Sequence, residues 1–93
     1  MRLFMILNIM NLEEKEVEDL KKYLEIRAKY IFEVNGKILG YLSGGVLVEV
    51  EGLEKGSVVT ITLNGGVGVV MKTARELANA FQNRMMIAHY EVR

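Results

Sequence analysis

The chain has 93 residues, of which 51% are hydrophobic and 26% charged; this is the composition of an ordinary globular protein and excludes a disordered or fibrous one, so we expect one domain over residues 1–93. Its 12 basic and 12 acidic residues cancel, so no basic surface for a nucleic acid is expected. The absence of cysteine excludes disulfides, thiolate metal sites and a cysteine nucleophile, and it is compatible with the cytoplasmic location that we expect.

The first predicted element is a strand. Leu3 to Ile9 is apolar and is interrupted only by Asn8, a pattern typical of a strand that is buried on both faces or that lies at a dimer seam. The wider segment from Met1 to Met10 is too short to span a bilayer. It lacks a small-residue cleavage site and runs straight into acidic residues. We therefore expect a buried strand rather than a secretion signal, and no membrane partner.

A helix is predicted to follow. The Asn11 side chain can accept from the free amides of a first turn, and Glu14, three residues on, can reach back to the Asn11 amide as in a capping box. Apolar residues then recur at spacings of three and four, which predicts an amphipathic helix of about five turns. The apolar stripe consists of Val17, Leu20, Leu24 and Ala28.

The middle of the chain has the pattern of strands and turns. Tyr30 to Val34 and Lys37 to Leu42 flank Asn35-Gly36, the pair that a two-residue hairpin turn favours. Val46 to Val50 is rich in β-branched residues and predicts a further strand. Val58 to Leu63 alternates most clearly and is the most distinct strand of the chain.

The last part of the sequence predicts a loop, a helix and a strand. A glycine-rich loop, Gly65 to Gly68, leads to Thr73 to Glu76, which has the capping-box pattern that opens a helix. Ile87 to Val92 alternates and predicts a terminal strand. The apolar face of the second helix is predicted to contain Ala74, Leu77, Ala78, Phe81 and Met85.

This order of elements resembles a known family. A strand, a capped helix, an Asn-Gly-Lys hairpin, a serine-bearing segment, a Lys-Gly-Ser-Val-Val-Thr-Ile-Thr strand and a closing helix are similar to HPr, the histidine-containing phosphocarrier protein of sugar phosphotransferase systems. The likeness covers about residues 4–85 and is best from Asn35 to Gly65. It implies an α+β fold, an HPr-like open-faced sandwich in which a four-stranded antiparallel sheet has its helices on one face. The same elements also fit a ferredoxin-like βαββαβ arrangement.

The sequence departs from the family at the phosphorylation site. The resemblance implies a histidine just before the first helix, in a His-x-Arg-Pro pattern, but Leu12 stands at the histidine's place and Glu14 at the arginine's. Leucine cannot accept a phosphoryl group. Acidic residues at a helix N-terminus also repel an anion. We therefore expect no phosphotransfer.

The resemblance also implies a regulatory site. Ser43 aligns with the serine whose phosphorylation changes partner choice in that family, although Leu42 and Gly44-Gly45 around it differ from the family's pattern. On this basis Ser43 is a candidate phosphorylation site. Ser43, Val46 and Leu47 together form the candidate surface for a protein partner. From the residues alone, a turn serine that bonds its own backbone is the alternative.

Two further motifs resemble ligand-binding sites. Gly66 to Thr73 nearly spells a phosphate-binding loop, but Met71 replaces the second glycine that close approach of a phosphate requires. His89 is the single histidine, with Glu91 two residues away, and two ligands do not make a zinc site. Neither motif predicts a nucleotide, cofactor or metal site.

These observations predict a non-catalytic HPr-like protein-binding or regulatory module that is related to phosphotransferase-system phosphocarriers and lacks phosphotransfer. No nucleophile, base or metal set can be named, so we expect neither an enzyme nor a catalytic residue. Two alternatives stay open. One is a small-ligand-sensing ferredoxin-like regulatory domain. The other is a structural homo-oligomer, which is supported by the apolar first strand and the Met85-Met86-Ile87 segment.

Overall fold

The structure is a computed structural model that describes residues 1–54 and 56–93. The described residues form two α-helices and six strands, with four consecutive strands between the helices, which confirms the α+β class. In chain order they are β1 (Arg2–Ile9), α1 (Glu14–Arg27), β2 (Ala28–Val34), β3 (Lys37–Leu42), β4 (Val46–Glu51), β5 (Val59–Gly66), α2 (Val67–Phe81), a 3-10 turn (Gln82–Arg84) and β6 (Met85–Val92).

The strands form one antiparallel sheet with the order β2-β3-β4-β5-β1-β6. Because every neighbouring pair is antiparallel, β5 and β6 run in the same direction, and β1 lies between them. The connection β5-α2-β6 is therefore a split β-α-β unit. The other helix, α1, connects β1 to β2 at the far edge of the sheet.

The sheet has six strands, where the family resemblance implied four. The two additional strands are β4 and β6. In β4 the side chains of Val46, Val48 and Val50 are buried while the residues between them face the other way. This alternation fits a strand that is covered on one face, as predicted for Val46 to Val50.

Both helices pack on the same face of the sheet. The apolar face of α1 buries Val17, Leu20 and Leu24, as predicted, against alternate residues of the strands. The fourth predicted member of this face, Ala28, is the first residue of β2 and is only partly buried. The prediction that β1 is buried on both faces was wrong. Only its alternate residues from Leu3 to Ile9 are buried, and the residues between them lie on the uncovered face at intermediate exposure. The sheet therefore keeps one open face.

The first helix begins later than predicted. Its N-cap is Glu13, whose backbone N–H donates to the Glu16 carboxylate at 3.0 Å. Asn11 lies two residues earlier with φ of +57°, a conformation that asparagine tolerates. Between them, Leu12 is 2% exposed and belongs to the core. Burial of Leu12 ties the entry segment to the sheet and moves the cap to Glu13.

The second helix begins earlier than predicted. It starts at Val67, directly after β5, so the predicted glycine-rich loop does not exist. Thr73 is inside the helix, where its hydroxyl donates to the Val69 carbonyl at 2.8 Å. Val70 is fully buried, and this core contact sustains the first turn. No helix in the described part of the chain is long and apolar enough to cross a membrane.

The hairpin between β2 and β3 is as predicted. Asn35 and Gly36 have φ of +51° and +78°, the positive values that a two-residue turn with the twist of a hairpin needs. The turn fixes the register, so Tyr30 lies opposite Tyr41 and Phe32 opposite Leu39. These cross-strand pairs bring four large side chains together on the open face.

Candidate functional site: the open face of the sheet

The side chains of the open face lie in three rows that run across the strands. Residues that pair across neighbouring strands point to the same face, so each row follows from the register. The rows are Tyr30, Tyr41, Leu47, Asn64, Phe4 and Glu91; then Phe32, Leu39, Glu49, Thr62, Ile6 and His89; and then Val34, Lys37, Glu51, Thr60, Asn8 and Met86.

The parts of the first two rows on β2 to β5, together with Phe4 of β1, line a shallow cavity of about 550 Å³, which we call the aromatic groove. Tyr30 and Phe32 are 69% and 57% exposed, although both are large and apolar. A continuous exposed apolar surface of this kind marks a binding site in a typical soluble protein. The side chains that line the groove are Phe4, Tyr30, Phe32, Leu39, Tyr41, Leu47, Glu49, Thr62 and Asn64.

Glu49 is the charged group of the aromatic groove. Within residues 1–54 and 56–93, no hydrogen bond or ion pair involves its carboxylate. The other carboxylates of the open face are paired: Glu51 binds Lys37 at 3.3 Å, and Glu91 binds His89 at 2.9 Å. Glu49 is thus available to a cation or hydrogen-bond donor from outside.

The β6 end of the open face is a self-contained cluster. The Glu91 carboxylate contacts His89 at 2.9 Å and Arg93 at 3.0 Å, and these hydrogen bonds, from His89 first and then from Arg93, lower the pKa of Glu91. Arg93 also lies over the Phe4 ring at 4.8 Å. His89 and Glu91 share a face, as predicted. Across the described residues, no group of three or more His, Cys, Asp and Glu side chains could hold a metal ion.

The predicted partner-binding residues do not form one surface. Ser43 lies exposed in the β3–β4 turn, Val46 is fully buried in the core, and Leu47 is 49% exposed in the aromatic groove. Val46 and Leu47 are neighbours in a strand, so their side chains point to opposite faces. Of the three, only Leu47 takes part in the candidate site, and the buried Val46 offers no surface to a partner.

Ser43 belongs to the contacts between the two layers. Its N–H donates to the Arg27 carbonyl at 3.2 Å, and its hydroxyl is 3.5 Å from the same oxygen. Nearby, Arg27 pairs with Glu76 at 3.1 Å, and the Tyr23 hydroxyl donates to Glu76 at 2.9 Å. Burial, and then the bond to Glu76, raises the pKa of Tyr23 to about 12. These contacts fasten α1 to α2, and the phosphorylation of Ser43 stays a prediction.

The segment that aligns with the family's phosphorylation site is also structural. Leu12 is buried, and the first turn of α1 is fixed by a bidentate pair between Glu16 and Arg84, with Arg84 Nη1 to Glu16 Oε1 at 2.7 Å. Hydrogen bonds from Arg84 first, and then from the Glu13 backbone, lower the pKa of Glu16 to about 2. Arg84 also donates to the Asn11 carbonyl at 3.3 Å. The N-terminal end of α1 is therefore occupied by the side chains of Glu16 and Arg84.

The aromatic groove was not predicted from the sequence, although the hairpin turn contains the information for part of it. A two-residue turn at Asn35-Gly36 requires that Val34 pair with Lys37, and each step away from the turn adds a pair. Counting outwards pairs Phe32 with Leu39 and Tyr30 with Tyr41. The position of Glu49 in the groove could not be predicted in this way, because Glu49 lies beside Leu39 only through the pairing of β3 with β4.

No model of a known protein family matches the chain, and no curated protein matches it. The candidate site therefore depends on geometry and chemistry alone.

Proposed function

We propose that the protein is a non-catalytic binding module whose open face binds an apolar segment of a protein partner that carries a basic side chain. The observation that carries this proposal is the aromatic groove, in which exposed Tyr30 and Phe32 line the same cavity as a carboxylate, Glu49, that has no partner among the described residues. Exposed aromatic side chains are the groups that dominate binding energy at protein interfaces.

The shape of the open face supports a protein partner. Six strands about 4.8 Å apart and about 20 Å long give a face of roughly 600 Å², close to the roughly 800 Å² that each partner contributes to a standard interface. The groove is shallow and open along its length. A small molecule in a dedicated site is usually buried over most of its surface, which this groove does not provide.

The chemistry of the groove supports a basic side chain in the partner. A lysine or arginine beside Glu49 would gain a charge-assisted hydrogen bond. Its stem would cover Leu39 and Leu47, since long basic side chains bury their methylene groups on apolar surfaces. The faces of Tyr30 and Phe32 would add cation–π attraction. An acidic partner would gain none of these contacts and would meet repulsion from Glu49.

A second candidate is the small-ligand-sensing ferredoxin-like regulatory domain. It is supported by the split unit β5-α2-β6, since such units are the elements of ferredoxin-like folds, and by the groove volume of about 550 Å³, which is within the usual range for ligands. The relation to HPr and the cytoplasmic location stay predictions. The antiparallel sheet with both helices on one face is common to the HPr-like and ferredoxin-like alternatives.

An NMR titration of the ¹⁵N-labelled protein tests the proposal. The probe is a short amidated peptide of leucine and phenylalanine with one arginine, and the control is the same peptide with glutamate in place of arginine. We expect the arginine peptide to shift amide signals of β3, β4 and β5 around Leu39, Leu47 and Thr62. The glutamate peptide should shift them much less.

Two results of this titration would contradict the proposal. Shifts confined to the helices or to the Ser43 turn would assign binding to another surface, and no shift at all would remove the groove as a binding site. Phenethylamine serves as a third probe. If it alone binds as tightly as the arginine peptide, the small-ligand candidate replaces the protein-binding one.

A further inference from the structure

The edge strand β2 is prepared to pair with another strand. Six of its seven residues are exposed, and its outer side has no neighbour in the sheet. The two-residue turn makes Val34 and Lys37 a hydrogen-bonded pair, so Ile31 and Glu33 direct their backbone N–H and C=O groups away from β3. Uncovered edges with large apolar side chains and no proline are templates for a further strand.

The charges of β2 are complementary to a second copy of β2. Lys29 and Glu33 take part in no hydrogen bond or ion pair within the described ranges. In an antiparallel pair with a two-fold axis at Ile31, Lys29 of one copy faces Glu33 of the other, twice. Moving the two-fold axis to Glu33, a register change of four residues, would set Glu33 against Glu33. Opposite charges across strands stabilise a pair and like charges destabilise it.

The other edge of the sheet lacks this complementarity. The Glu91 carboxylate of β6 already contacts His89 of the same strand at 2.9 Å and Arg93, directly after the strand, at 3.0 Å. A second copy at β6 would find no unpaired charge there to bind. The two edges therefore differ in chemistry, although both expose apolar side chains.

We propose that the protein forms a homodimer in which the two β2 strands pair antiparallel around Ile31 and join the two sheets into one. In this arrangement Tyr30 of each copy lies opposite Phe32 of the other on the open face. Ile31 meets its own counterpart on the helix face. Aromatic cross-strand pairs add to the two Lys29–Glu33 pairs and to the backbone hydrogen bonds.

A cavity beside the axis supports the same geometry. Ile31 lies in a space of about 320 Å³ at the helix face, together with Lys21 and Glu25 of α1. These two side chains have no ion partner among the described residues. The two-fold axis brings the two α1 helices side by side, with acidic and basic groups on both. Because the axis is normal to the sheet, the two aromatic grooves lie on the same side and meet at Tyr30 and Phe32.

Sedimentation velocity on single and mixed charge variants tests this dimer. The test does not depend on whether the open face binds a peptide. The wild-type protein should sediment as a dimer in the concentration range from about 10 μM to about 1 mM. Lys29→Glu and Glu33→Lys should each weaken the dimer by about tenfold or more, because each sets like charges opposite one another. Mixing the two variants should restore it, since Lys29→Glu supplies two acidic groups and Glu33→Lys two basic ones.

The matched control is Glu91→Lys on β6, which should leave the dimer unchanged. A wild-type protein that stays monomeric at about 1 mM would overturn the proposal, since pairing of this strength should be detectable there. So would a dimer that is lost in Glu91→Lys, which would assign the interface to β6. Failure of the mixture to restore the dimer would overturn the register. None of these results depends on the peptide titration.

Discussion

Glu16 and Arg84 join the first turn of α1 to the 3-10 turn that follows α2. Their bidentate contact holds Glu16 in place, and Glu16 in turn accepts the Glu13 backbone N–H at 3.0 Å. One carboxylate thus closes the helix cap and ties two distant parts of the chain together. A pair with this geometry contributes more than an isolated surface ion pair.

This contact predicts a pH-dependent stability. The pKa of Glu16 is lowered from 4.5 to about 2, so its contribution is fully present above pH 4.5 and is lost as the pH falls towards 2. Glu16→Gln should lower the melting temperature by a few degrees at pH 7, and the difference from the wild type should shrink as the pH falls through this range. Thermal unfolding followed by circular dichroism measures it.

Glu18→Gln is the matched control, because Glu18 lies on the same helix and makes no ion pair among the described residues. Glu18→Gln should change the melting temperature little, both at pH 7 and as the pH falls towards 2. A difference between wild type and Glu16→Gln that stays constant down to pH 2 would contradict the assigned role.

Single residues also mark where sequence reasoning succeeded. The stripe of Val17, Leu20 and Leu24 was predicted and is buried, because a period of 3.6 residues is a local property. Val46 was assigned to a partner surface through the family resemblance, and it is fully buried. The alternation of β4 carried the information that Val46 and Leu47 face opposite ways. For Val46, the alternation of β4 predicted the burial of the side chain better than the family resemblance did.

At the scale of elements, the turns and helix starts depend on individual glycines in different ways. Gly52, in the β4–β5 connection, has φ of +72°, and a Cβ atom there would lie 2.7 Å from the Val58 carbonyl oxygen. Gly68, in the first turn of α2, has open space around it. The first is a requirement of the turn, and the second is only a weak position in a helix.

Alanine substitutions should separate the two. Gly52→Ala should destabilise the protein by about 1 to 3 kcal/mol, because of the left-handed backbone and the clash with a backbone atom. Gly68→Ala should leave stability unchanged or raise it by up to about 1 kcal/mol, as expected for a glycine inside a helix. Urea unfolding measures both. Destabilisation by Gly68→Ala would contradict a helix that begins at Val67.

The strands were predicted well from sequence, whereas the helix starts were not. Five strands follow from alternation, β-branched residues and the Asn35-Gly36 turn, and β1 follows from its apolar run. The capping patterns at Asn11 and Thr73 placed the N-caps two residues before and seven residues after the observed caps, Glu13 and Gly66. A capping box is a local preference. The burial of Leu12 and Val70 in the core decides where the helices begin.

For the whole molecule, the order of the strands determines the candidate site. The pairing of β1 with both β5 and β6 joins residues about fifty to ninety positions apart, and no local pattern encodes it. The same pairing places β1 inside the sheet and creates one wide open face. The family resemblance implied a smaller sheet, so the face and its groove were not foreseen.

The open face also bears on the apolar side chains of β1. Phe4 and Ile6 lie on the open face, between polar Thr62 and Asn64 on β5 and the His89–Glu91 pair on β6. Large apolar side chains on an uncovered face are costly in water unless a partner covers them. At this scale the composition of the sheet agrees with a binding module.

The most direct test of the central claim is a charge exchange at Glu49. Glu49→Lys should reverse the preference of the groove, so that the glutamate peptide binds more tightly than the arginine peptide by about tenfold, as expected when a pair of charges changes sign. Glu18→Lys on the outer face of α1 makes the same change in net charge and should keep the wild-type preference. Isothermal titration of each variant with both peptides measures the four affinities. An unchanged preference in Glu49→Lys, or an equal reversal in Glu18→Lys, would contradict the account.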